Sequence, residues 1–232
     1  DPLSSEYKPA SYGNAGHFSP YAVIQFNRPD ILYDVPKMLF SSYGPLALKW
    51  NHIPKMFNWF LRYFKNCNKK SMMHTAKYMH QILSLSNDAY EEIFQEIDIT
   101  GLVEKKGIIY VWTNKNLKSR ELEIKVRDEL GIQQKLLTQN EILKLEPNLS
   151  PVFDSGVIYE DAMHAKDPHG ILKEIFKLFL KKGGKFIQSN IKSIEQSKFN
   201  ETLIKSENDE YRFEKSVIAS GAFSKKLTDQ LG

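Results

Sequence analysis

Three short segments carry residue types suited to ligand chemistry. In Ser11-Tyr12-Gly13-Asn14-Ala15-Gly16-His17-Phe18-Ser19-Pro20, two glycines and an asparagine let the backbone turn tightly and approach a flat or anionic ligand. Val217-Ile218-Ala219-Ser220-Gly221-Ala222-Phe223-Ser224 reads as an apolar strand delivering small residues to its carboxyl end, where open α/β sheets place ligands. Between them, Glu160, Asp161, His164, Asp167 and His169 gather carboxylates and imidazoles in one stretch. Their spacing meets no rigid metal-ligand pattern, and Asp167 before Pro168 is better explained as a helix cap, so no metal site is expected. His17 reads as a solvent-facing loop residue beside the first segment. His74 and His80 are six apart on a helix, share no three- or four-residue spacing, and read as structural. Cys67 is the single cysteine, which excludes an intrachain disulfide and a cysteine-based zinc site.

The elements that must position these groups follow from periodicity. Asp1 to about Pro20 reads as loop. Pro54 opens a helix of residues Lys55 to Asn66, with Phe57, Phe60, Leu61 and Phe64 at helical spacing and Lys55, Arg62 and Lys65 on its polar remainder. That helix suits packing within the protein, and its aromatic, basic character also suits a membrane surface. One long helix is expected from about Met72 to Ile97. Gly107–Thr113 and Gly156–Glu160 read as strands and sheet neighbours. A helix is expected over Asn116–Leu130, stopped by Gly131, and Thr138 with Glu141 forms a capping box for a short helix. Asp167 caps a helix that starts at Pro168 and ends at Gly183-Gly184. Strands are then expected at Lys185–Gln188, Ile191–Glu195, Thr202–Ser206, Glu210–Phe213 and Ser216–Ala219.

Composition narrows the function classes. The 32 basic and 28 acidic residues leave a net charge of +4, too mild to argue for nucleic acid. Lysine far outnumbers arginine, so the bidentate contacts that read bases are scarce, and no nucleic-acid partner is expected. No apolar run reaches the ~18 residues a bilayer span needs. The chain reads as cytoplasmic, with peripheral contact at the inner face of the cell membrane left open.

The first segment, the block from Leu145 to Glu195 and the Val217–Ser224 segment, in this order and spacing, resemble the FAD-dependent oxidoreductases that include D-amino-acid oxidase and glycine oxidase. The S-Y-G-N-A-G-H-F-S-P form is most similar to the D-amino-acid dehydrogenase branch. The resemblance implies an α/β fold: an FAD-binding Rossmann-like domain (residues 1–20 and 164–232) and a discontinuous α+β substrate domain with a helical insert (residues 21–163). It implies that Ser11, Tyr12, Gly13, Asn14, Ala15 and Gly16 wrap the flavin's phosphates and ring edge. Ile191 lends its backbone to the adenine, Ala219, Ser220 and Gly221 lie against the pyrophosphate and ribityl chain, and Asp1 stands at or near the ribose-binding carboxylate. The implied reaction is oxidation of an amine carbon by hydride transfer to the flavin, followed by hydrolysis of the imine to a keto acid and ammonia. The implied substrate is a small amino acid, foremost a D-amino acid, and the implied acceptor a quinone or other respiratory-chain carrier. A protein base is not demanded if the amine arrives neutral, so no catalytic residue is assigned.

Two departures qualify this. No G-x-G-x-x-G is present, and the family's C-terminal half has no counterpart before Gly232. The expectation is therefore a fragment of a longer enzyme that neither binds FAD tightly nor turns over alone. The alternatives are a glycine- or sarcosine-type amine oxidase that uses oxygen, and a non-catalytic flavoprotein-like module.

Overall fold

The computed structural model describes residues 10–40, 49–113, 117–197 and 201–231. The chain forms two compact units, residues 2–178 and residues 179–232 (with residue 1).

In the larger unit, a 3-10 turn at Ala10–Gly13 leads into strand β1 (His17–Phe18). Helices α1 (Ile31–Phe40), α2 (Ile53–Asn66), α3 (Lys69–Leu83) and α4 (Ser86–Phe94) follow. Next come β2 (Val103–Glu104), β3 (Ile108–Trp112), α5 (Leu117–Glu129), β4 (Lys135–Thr138) and α6 (Gln139–Leu145). Strands β5 (Ser155–Tyr159) and β6 (Met163–Ala165) precede α7 (Pro168–Lys181), which runs on into the smaller unit. The strands make two antiparallel three-stranded sheets, ordered β1-β6-β2 and β3-β5-β4. The expected pairing of the two longest strands is found, with Ile108 opposite Tyr159 and Trp112 opposite Ser155.

Local chemistry explains most boundaries. Thr138 and Glu141 close a reciprocal capping box on α6. The Asp167 carboxylate accepts from the Gly170 amide at 2.9 Å, so this acid is spent as the cap of α7. Gly183, at φ 88°, turns the chain left-handed, and the Gly184 amide returns to the Phe179 carbonyl at 2.9 Å.

The single helix expected over Met72–Ile97 is two helices. At the break the Ser86 hydroxyl donates to the Leu83 carbonyl at 2.6 Å, while the Leu85 amide tightens onto Ile82. The Ser86 side chain thus takes a carbonyl that an unbroken helix would need. The apolar stripe is kept nonetheless. Met72 and Ala76 of α3 pack with Val23 and Val126, and Phe94 of α4 packs with Met163, Ala165 and Ile171.

The smaller unit holds β7 (Ser193–Gln196), β8 (Thr202–Lys205) and β9 (Glu210–Phe213) as an antiparallel meander, then a 3-10 turn at Gly221–Phe223 and α8 (Ser224–Thr228). Two expected strands are not formed: residues 185–188 and 216–219 carry no strand hydrogen bonds, and Val217 is 92% exposed. An extended segment becomes a strand only when a neighbour satisfies its backbone groups, and among the described residues neither segment has one. Ile191 also falls outside its expected strand, which starts at Ser193.

Candidate functional site

The first segment is tied down at Gly16 and exposed before it. At its far end the Ala165 amide donates to the Gly16 carbonyl at 2.6 Å, tying the loop to β6. Gly16 sits at φ 69°, and a Cβ there would stand 2.5 Å from the Ala165 carbonyl oxygen. Only glycine meets both conditions without strain. The Gly16 amide in turn donates to Asn14 Oδ1 at 2.7 Å, an Asx-type closure of the turn. Tyr12, Gly13, Asn14 and Ala15 are exposed, and Ser11 is partly so.

Downstream, the chain is plugged into the core. Tyr21 and Val23 are buried, and Tyr21 stacks face to face on Tyr159 with ring centroids 3.8 Å apart and planes 5° from parallel. Arg127 Nε donates to the Tyr21 carbonyl at 3.3 Å, its guanidinium lies 5.4 Å from the Tyr159 ring, and Nη1 pairs with Glu123 at 3.3 Å. Burial pushes the Tyr159 phenol up to about 12 against the opposing pull of Arg127, and raises Tyr21 as well.

A cavity of about 470 Å³ opens on the loop. Ser11, Asn14 and Ala15 form one side, and Leu83, Tyr90 and Ile175 are among the apolar residues that line the rest. Among the described residues no Asp, Glu, Lys or Arg lines it, and His17 does. A small-residue polar rim on an apolar wall suits the edge of a flat, largely apolar ring and supplies no charged acid or base. His169, at the first turn of α7, is 8% exposed, meets Tyr12 edge-on at 5.0 Å, and keeps Nε2 without a hydrogen-bond partner among the described residues.

On the polar face of the β1-β6-β2 sheet, His17, His164 and Glu104 stand in one cross-strand row, with His17 opposite His164 and His164 opposite Glu104. The two imidazoles are 5.4 Å apart, and Lys166 and Lys106 hold Glu104 below the usual carboxylate range. Sequence reading placed His17 in a loop and missed this row; pairing across strands so far apart in the chain leaves no local signal. It also missed a second cavity, about 500 Å³, walled in part by Tyr21 and Tyr159, with Asp88, Glu91, Glu160 and Asp161 among its lining and Lys105 beside them.

The remaining expected site residues lie in the smaller unit. Ile191 is 36% exposed, Ala219 is exposed, and Ser220 is the N-cap of the turn that Gly221 begins at φ 55°. Asp1 lies outside the described residues.

The family profile described as FAD dependent oxidoreductase matches residues 6–232. The chain is 27% identical over 224 residues to a D-amino-acid oxidase of Bradyrhizobium diazoefficiens, covering 96% of this chain and 53% of that protein. It is 24% identical over 236 residues to a D-amino acid dehydrogenase of Vibrio atlanticus, covering 100% and 56%. The chain thus spans about half the length of these relatives. Among solved structures, glycine oxidase from Geobacillus kaustophilus superposes with a TM-score of 0.58 at 15% identity, over 95% of this chain and 48% of that one. That likeness concerns the fold.

Proposed function

The chain belongs to the FAD-dependent oxidoreductase family, and from that premise we propose that it is part of an enzyme that oxidises a small amino acid, foremost a D-amino acid. FAD, when bound, supplies the acceptor for the hydride equivalent leaving the amine carbon. The protein's part in this reading is to hold, orient and exclude. The Asn14–Gly16 turn, fixed to Ala165, presents exposed backbone and small side chains to the cofactor. The wall that includes Leu83, Tyr90 and Ile175 offers apolar surface to a ring bound beside the loop. Among the described residues no Asp, Glu, Lys or Arg lines this cavity, in keeping with an amine that arrives neutral and needs no dedicated base.

Under the same proposal residues 1–20 and 164–232 belong to the FAD-binding domain and residues 21–163 to the substrate domain. Ile191, Ala219, Ser220, Gly221 and Asp1 contact the nucleotide, the acceptor is a quinone or another respiratory-chain carrier, and the enzyme works on the cytoplasmic side. The observation that carries the reading is the stapled glycine turn at the mouth of an apolar cavity, in a chain whose family is FAD-dependent. The test is anaerobic titration of the full-length protein with D-amino acids, L-amino acids, glycine and sarcosine. Bleaching of the flavin absorbance foremost by D-amino acids supports the proposal. Bleaching by glycine or sarcosine alone, with peroxide release in air, moves it to the amine-oxidase alternative, and no bleaching by any amine overturns it.

A further inference from the structure

Helix α2 sits on the larger unit with an apolar face that the described residues leave bare. At 100° per residue, Ile53, Met56, Phe57, Trp59, Phe60, Leu61, Tyr63 and Phe64 occupy one continuous arc, and Lys55, Asn58, Arg62, Lys65 and Asn66 occupy the other. A helix so divided ordinarily buries its apolar arc, yet none of its residues is buried. Phe57, Leu61 and Phe64, at i, i+4 and i+7, are 57%, 53% and 42% exposed, and Trp59 is 54% exposed. Trp50, on the 3-10 turn leading into the helix, is 69% exposed. Among the described residues, two hydrogen bonds join α2 to the segment before α1: the Tyr63 hydroxyl donates to the Phe26 carbonyl at 2.7 Å, and Asn27 Nδ2 donates to the Asn66 carbonyl at 3.3 Å. Phe26, brought beside the helix by that bond, is itself 80% exposed.

Charge decides what covers this face. From Val35 to Asn87 there is no Asp or Glu, while eight Lys and Arg stand in the same 53 residues. The rest of the chain has 24 basic residues against 28 acidic ones, so the net positive charge lies in the stretch of sequence that contains α2. A second copy would bring the same charge against it. An anionic lipid surface satisfies both halves of the helix: aromatic and aliphatic side chains enter the headgroup boundary, and lysines and arginine meet phosphate.

We infer that α2 with Trp50 is an in-plane anchor by which the protein docks on an anionic bilayer. It deepens the proposed function by placing the enzyme where a lipid-soluble acceptor lies, but it stands on the helix alone. No described helix is long and apolar enough to cross a membrane, so the contact is peripheral.

The experiment is flotation of the full-length protein with vesicles of phosphatidylcholine alone or mixed with phosphatidylglycerol. Wild type is expected to float with the mixed vesicles, at least about tenfold more than with phosphatidylcholine alone. Phe57→Glu/Trp59→Glu and, separately, Lys55→Glu/Arg62→Glu/Lys65→Glu are each expected to cut the vesicle-bound fraction about tenfold, with an unchanged thermal midpoint as the folding control. Failure of wild type to float, equal flotation with both vesicle types, or full flotation of either folded variant overturns the inference. Burial of this face in a dimer, shown by scattering mass and loss of dimer in Phe57→Glu/Trp59→Glu, also overturns it. Flotation lost in both variants upholds the anchor whether or not any amine bleaches the flavin.

Discussion

Gly16 and Ala165 lock the candidate cofactor loop to a strand that arrives much later in the chain: the Ala165 amide donates to the Gly16 carbonyl at 2.6 Å, and the Ala165 carbonyl stands where a Cβ on residue 16 would be. The loop's shape is therefore dictated by contact with β6, and both faces of that contact need glycine's freedom and size.

Gly16→Ala puts a methyl group 2.5 Å from the Ala165 oxygen at φ 69°. We expect a loss of about 3 kcal/mol, combining left-handed strain with displacement of the loop, and loss of bound flavin from the full-length protein. Denaturant melts and the visible spectrum measure both; an unchanged spectrum with unchanged stability removes the loop from the site.

Asn14→Ala deletes the acceptor of the Gly16 amide. The expected cost is about 1 kcal/mol, with weaker flavin retention than Asn14→Asp, which keeps the acceptor oxygen. Equal behaviour of the two variants would show that the turn does not depend on this bond.

Alkaline pH is expected to unfold the larger unit through its stacked tyrosines. Burial raises Tyr159 from 10.0 to about 12 and raises Tyr21, so the folded state holds both phenols protonated where the unfolded chain ionises them. The corresponding stability is fully present below pH 10 and is lost as pH climbs from 10 toward 12. Tyr159→Phe should flatten that decline by on the order of 2 kcal/mol in a series of melts between those limits. A slope identical to wild type would show that Tyr159 is not responsible.

Arg127→Met removes the donor to the Tyr21 carbonyl and one of the two cations on Glu123, the other being Arg28. Arg127 is 8% exposed, so the Tyr21 carbonyl loses a buried donor while Glu123 keeps Arg28, and a loss of about 2 kcal/mol is expected in urea unfolding. Glu123→Gln in the same background measures the share of the lost ion pair: partial recovery assigns that share to Glu123, and no recovery assigns the cost to the Tyr21 carbonyl and to packing over Tyr159.

Much of the framework was readable before any coordinates. Thr138 with Glu141, Asp167 with Pro168, and Gly183 with Gly184 set the helix boundaries they were expected to set, because a cap is satisfied within a few residues of itself. The paired strands Ile108–Trp112 and Ser155–Tyr159 were legible from β-branched and aromatic composition. The break at Ser84–Ser86 was not, since periodicity continues across it and only hydroxyl bonding to Leu83 interrupts the ladder.

By itself the sequence determined the family, the capped helix ends, the strands Ile108–Trp112 and Ser155–Tyr159 and the small-residue character of Ser11–Gly16 and Ser220–Gly221, all properties of residues close together in the chain. The tertiary structure alone decided that Ala165 closes on Gly16, that Tyr21 lies flat on Tyr159, that His17, His164 and Glu104 share a row, and that α2 keeps its aromatic arc uncovered. It also decided that residues 185–188 and 216–219 are not strands. Each of these depends on which distant backbone or ring comes alongside, and a strand, a stack or a buried face exists only once its partner is there.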